Sequence, residues 1–166
     1  MQIIFGIIAE LISLLLCLFP GSTVTEIRNN LDIDIKPYQI EFHEDTHGGF
    51  HGDGDYYLIL DCSGKTEQAA ELIKDWSPLP LTENLQRVMN MTCSGVDDDG
   101  VDYSKTLTEM AHWPIIENGV YKFIDRHSEA IDKSDDTNLF NRYSHNFSVA
   151  AYDLDTNTLY YFEFDT

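Results

Sequence analysis

Positive charge is what this chain has least of. Ten Lys and Arg stand against 29 Asp and Glu in 166 residues, a formal charge of -19 at pH 7. Such a field repels phosphate backbones and anionic lipid headgroups, which excludes nucleic acid as an expected partner. It attracts cations or a basic protein surface, and it also keeps a domain soluble. No Lys or Arg precedes Arg28, so the basic N-terminus common to export signals and anchors is missing. Cysteine is scarce as well. Cys17 falls in an apolar run, which leaves Cys62 and Cys93 as one candidate disulfide or as two reduced, buried thiols. No internal repeat is apparent, and the length suits a single domain.

The longest apolar run is at the start, "MQIIFGIIAELISLLLCLFP". Residues 3–19, if helical, reach about 25 Å against a hydrocarbon core of about 30 Å. Their Leu, Ile and Phe side chains together favour insertion by roughly 4–7 kcal/mol, and Glu10 costs at most about 3. Insertion wins. No small-x-small cleavage pattern follows, and Leu16 occupies the place before Cys17 where a lipid-modified cysteine needs a small residue. The expected organisation is an anchor over 1–21, a stalk over 22–36 and one domain over 37–166. It sits at the cell membrane, single-pass, with the domain outside the cytoplasm. The alternatives are secretion after signal cleavage and a buried amphipathic helix.

Within the domain, "PYQIEFH" alternates, with Tyr38, Ile40 and Phe42 predicted on one face of a half-buried strand. "YYLILDC" is more continuously apolar and reads as an interior strand. Thr66 can cap a helix that sets Ala69, Ala70, Leu72, Ile73 and Trp76 against the sheet and stops before Pro78. A Pro-rich connector and a short helix capped by Thr82 follow. Asn118-Gly119 between apolar runs predicts a hairpin, residues 128–144 a polar excursion, and Asp155-Thr156-Asn157-Thr158 a second hairpin turn. The expected fold is α+β: a mainly antiparallel sheet of about six strands with one main helix packed on it, preceded by the N-terminal hydrophobic helix.

The chemistry concentrates in "HEDTHGGFHGDGDYY", residues 43–57. His43-Glu44-Asp45-Thr46-His47 spells the zinc-protease pattern, which requires a helix to set two histidines one turn apart. Here His43 ends an alternating strand and Gly48-Gly49 would break a helix, so the pattern is expected to be letters only. A looser site remains: His43, His47, His51, Asp53 and Asp55 could converge on zinc, or carboxylates and carbonyls on calcium. Against it stands a plain turn, with glycines taking positive φ and acids capping amides. Gly64-Lys65-Thr66 lacks the second glycine of a phosphate loop, since Ile59 holds that position. Neither 97–99 nor Asp153-x-Asp155-x-Asn157 completes a calcium loop, and Asp125, His127 and Ser128 lack a nucleophile turn.

"EDTHGGFHGDG", "DWSPLPLTENL" and "DTNTLYYFEFD" together resemble a family of small membrane-anchored bacterial proteins with no known activity, over most of residues 40–166. The resemblance implies an extracytoplasmic domain behind an anchor and assigns no catalytic residue. The expected function is a non-enzymatic binding or accessory protein at the cell surface, facing a basic protein partner. The alternative is a metal-binding module or metal-dependent hydrolase centred on residues 43–55.

Overall fold

The computed structural model describes residues 27, 30–31, 34–48, 52–94 and 113–166. The chain divides into two compact units, Met1–Lys36 and Pro37–Thr166. In the first, Ile27, Asn30 and Leu31 are helical. Among the described residues no helix is long and apolar enough to cross a membrane, and residues 1–21, where the sequence predicts the anchor, lie outside them.

The second unit is a six-stranded antiparallel sheet with two short helices. In chain order the elements are β1 (Gln39–Asp45), β2 (Gly54–Asp61), α1 (Thr66–Ile73), β3 (Ser77–Pro78), α2 (Glu83–Met89), β4 (Gly119–Asp125), β5 (Asn146–Asp153) and β6 (Thr158–Asp165). Across the sheet the order is β1-β2-β6-β5-β4-β3. β1/β2 and β5/β6 are therefore adjacent hairpins, while the segment carrying α1 crosses from β2 to the far edge.

One face of the sheet holds a ladder of cross-strand neighbours. Tyr57 faces Phe162, Phe162 faces Val149 and Val149 faces Phe123. These residues and Phe147 are buried in one cluster with Leu85, Val88 and Met89 of α2 and Leu139 of the polar excursion. Thr82 caps α2 as predicted, its Oγ1 accepting from the Leu85 amide at 3.2 Å. The single main helix expected over 66–76 is corrected. α1 is only eight residues long and buries Ala69 and Ile73, while Ala70 is exposed, so the helical cover of this core falls to α2.

Two local expectations are also corrected. β1 carries a bulge: Ile40 pairs with Leu60 but Phe42 pairs with Ile59, leaving Glu41 as the extra residue. Because Leu60 and Ile59 point to opposite faces, so do Ile40 and Phe42, and simple alternation fails. Phe42 packs on Tyr57 with ring centroids 6.1 Å apart, while Ile40 is left 47% exposed. Nor does Asn118-Gly119 turn a hairpin. Residues 113–118 form no strand, Trp113 joins the core, and β4 pairs with β3 and β5. Gly119 serves close packing, since a Cβ there would stand 2.4 Å from the Tyr152 carbonyl oxygen. The second hairpin forms where expected, with Asn157 at φ 55° in the turn between β5 and β6.

Candidate functional site

A group of interacting charged residues lies at one end of the sheet. β1, β4 and β6 finish there and β2 and β5 start there: Asp45 lies opposite Tyr56, Gly54 and Asn146 both face Asp165, and Asp125 faces Phe147. The segment 46–53 connects β1 to β2 at this end. Strand alternation then divides the charges, because successive residues point to opposite faces. Asp125 goes to the face that carries Phe123, and Arg126, just past the end of β4, goes to the other.

On the Arg126 face the contacts form a chain. Arg126 donates to Asp165 Oδ2 at 3.0 Å and approaches Glu163 Oε1 at 3.1 Å. Its Nε donates to Ser148 Oγ at 2.9 Å, and the Ser148 hydroxyl meets the Tyr161 hydroxyl at 3.1 Å. Tyr161 in turn donates to Glu163. Glu163 is only 5% exposed, so its charge depends on this guanidinium. Tyr56, opposite Glu163, has its phenol raised above the ordinary range by burial and by the carboxylates of Asp45 and Glu163.

His47 closes the chain. Its Nδ1 lies 2.8 Å from Asp45 Oδ1 and its Nε2 lies 3.2 Å from Asp165 Oδ2, so the ring links the ends of β1 and β6. The intervening position on β2 is Gly54, where a Cβ would come within 2.5 Å of the His47 Cα. The loop lies down on β2 only because that residue has no side chain. Thr46 fastens it: its amide donates to the Asp55 carbonyl at 2.9 Å and its hydroxyl accepts from the Asp55 amide at 2.8 Å.

Both ring nitrogens of His47 thus face carboxylate oxygens, which only accept, and satisfying both requires the imidazolium. Burial works against the charge, but the hydrogen bonds and charges of Asp45 and Asp165 prevail and the pKa is raised. A folded-state pKa above the unfolded value stabilises the fold fully below about pH 6.5, and that contribution is lost as pH rises through the folded value. His47→Gln is accordingly expected to lower stability by roughly 0.5–1 kcal/mol near pH 5.5 and by much less near pH 8.5. Denaturant melts of both proteins at the two pH values check it. A gap that widens toward alkaline pH would remove the imidazolium from the account.

On the opposite face Arg142 grips Asp125 with two parallel bonds, 2.7 Å to Oδ1 and 2.6 Å to Oδ2. Asp125 Oδ1 also accepts from the His127 amide at 3.0 Å. The excursion around this pair encloses a pocket of about 380 Å³ lined by Asp125, Glu129, Asp132, Asp135, Asn138 and Arg142 among others. Asp132 is held below the usual carboxylate range by hydrogen bonds from Ser134, and Asp135 by those from Thr137, so both present full negative charge. The trio Asp125, His127 and Ser128 forms no relay, because Asp125 is committed to Arg142 and His127 Nδ1 accepts from the Glu129 amide at 3.2 Å.

Of the metal candidates, His43 and Asp55 point to opposite faces, being paired with Leu58 and Phe164 respectively. Asp53 is exposed, His47 is engaged as described, and His51 lies outside the described residues. Among the described residues no group of three His, Cys, Asp or Glu side chains is placed to hold a metal ion. The zinc-protease helix does not form, since His43 lies in β1. Cys62 is a buried free thiol, pushed up to about 12 by burial, and the side chain of Cys93 lies outside the described residues.

Sequence reasoning did not find Arg126, Arg142, Glu163 or Asp165. One signal was available: Asp125-Arg126 at the end of an apolar strand sends opposite charges to opposite faces, and each then requires a buried counter-ion. No protein-family model, curated protein or solved structure matches the chain.

Proposed function

We propose that this chain is a non-enzymatic binding protein whose acidic surface receives a basic protein partner, held at the cell surface by its apolar N-terminal segment. The observation that supports this reading is where the scarce cations go. Arg126 serves Glu163 and Asp165, Arg142 serves Asp125, Lys74 pairs with Glu71, and Arg87 lies over the Phe140 ring, 4.2 Å from its centroid. With Arg126 and Arg142 withdrawn to buried carboxylates, fewer of the ten cations remain to offset the acids at the surface, an imbalance that steers association with a basic surface.

The test is co-purification of the full-length chain at low salt, followed by reconstitution with the protein that accompanies it. A basic partner retained near 0.05 M salt and weakened roughly tenfold near 0.5 M is the expected result. A partner that is acidic, or whose affinity ignores salt, would sink the reading.

A further inference from the structure

We propose that His145 is an acid-released fastener: its neutral ring helps hold the end of the 128–144 excursion on the sheet, and protonation frees that end. The main chain of His145 is fixed beside β6, its amide donating to Thr166 Oγ1 at 2.8 Å and its carbonyl accepting from the Thr166 amide at 3.0 Å. The ring reaches back to the excursion. It lies 6.4 Å from the Phe140 ring centroid and 6.3 Å from that of Phe164, and it is hydrogen-bonded to the Leu139 backbone. Leu139 is buried in the core and Phe140 packs against it, so the ring joins β6 to the part of the excursion that enters the core.

The Nδ1 atom is buried and has no hydrogen-bond partner among the described residues, which leaves Nε2 for the Leu139 bond. A neutral imidazole has one N–H, and the Leu139 carbonyl takes it. A second proton would sit on Nδ1 with no acceptor. Arg142 of the excursion and His127 just past β4 oppose an imidazolium, and Arg87 of α2 lies over Phe140, the ring that His145 touches. Among the acids, Asp125 favours the charge but is gripped by Arg142, Glu129 and Asp135 act on Arg142, and Asp136 accepts from Thr82. Asp55 of β2 lies across Phe164, and Asp165 points to the other face with Arg126. Burial is the largest influence and, with Arg142 and His127, holds the pKa below the ordinary value. A folded pKa below the unfolded one makes the fastening full above about pH 6.5 and weakens it as pH falls through the folded value. His47 has the opposite sense, so the two histidines are distinguishable by pH.

Amide hydrogen exchange of the full-length chain in non-ionic detergent is followed from about pH 7.5 to about pH 5, each rate divided by its intrinsic rate. His145→Gln is measured in parallel, since its amide can still donate to Leu139 and does not titrate. The amides to watch are Leu139 and Asn141, bonded to the Asp136 and Asn138 carbonyls. In wild type their protection is expected to fall roughly fivefold or more relative to β5 and β6 over that range, and in the variant less than about twofold. An NMR titration of the wild-type His145 ring, assigned through its backbone, is expected to give a midpoint below the reference of about 6.5. Equal loss of protection in both proteins would assign the release to His127 or to carboxylates and overturn the proposal. So would wild-type protection that persists at the acid end, or a ring midpoint at or above the reference, and neither of these results depends on the variant folding.

Discussion

Replacing Arg142 by Ala is expected to remove about 3–5 kcal/mol of stability, because it leaves the Asp125 carboxylate, 1% exposed, without its counter-ion. The guanidinium makes two parallel bonds, at 2.7 and 2.6 Å, that a lysine cannot reproduce, so Arg142→Lys recovers only part of the loss. Arg142 comes from the long polar excursion and Asp125 from the end of β4. The pair therefore helps fasten that excursion to the sheet, together with the Asp125 amide bond to the Lys133 carbonyl at 2.7 Å and the burial of Leu139 in the core. Urea titration of wild type, Arg142→Ala and Asp125→Asn/Arg142→Ala measures the effect. The double variant should regain part of the loss, since the stranded charge is gone. A single variant within about 0.5 kcal/mol of wild type would show that water already screens the pair.

Arg126→Met is expected to be of similar size, about 3–5 kcal/mol, and a fall of roughly 10–20 °C in melting temperature, for a different carboxylate. Glu163 is 5% exposed and Asp165 accepts from both Arg126 and His47, so removing the guanidinium strands one buried acid and half-strands another. The pH dependence identifies the cause. A buried carboxylate without its cation has a folded pKa raised above the unfolded value near 4.3, so the penalty is present in full above that raised pKa and vanishes as pH falls below the unfolded one. The deficit of Arg126→Met should therefore shrink toward pH 4, and Arg126→Met/Glu163→Gln should regain part of it at pH 7. A deficit constant with pH would assign the effect to lost packing of the arginine stem rather than to charge.

The His47 clamp between Asp45 and Asp165 holds the described start of the histidine-rich segment between β1 and β2 against the sheet. Among its described residues, the segment is a fold element. His47 is used as a cation, Gly54 as a missing side chain and Thr46 as a backbone clip. Of the described residues in that pattern, His47 is satisfied by carboxylates of the protein's own strands.

What the sequence determined by itself is whatever depends on neighbours along the chain. The apolar runs of β2, β5 and β6, the turn at 155–158, the Thr82 cap and the refusal of residues 43–47 to be helical all follow from local period, turn chemistry and glycine placement. The excess of acid is likewise a property of composition. Tertiary structure decided the rest, because each remaining feature depends on a residue far away in the chain. The bulge at Glu41 exists only against β2, and it turns Ile40 away from Phe42. Gly119 reads as a turn until Tyr152 lies beside it. His47 and Asp165 are 118 residues apart and become neighbours only because β6 sits beside β2 in the sheet. A buried charge finds its partner by strand order, and strand order is set by which faces bury the most apolar surface, a sum over the whole chain that no local window contains.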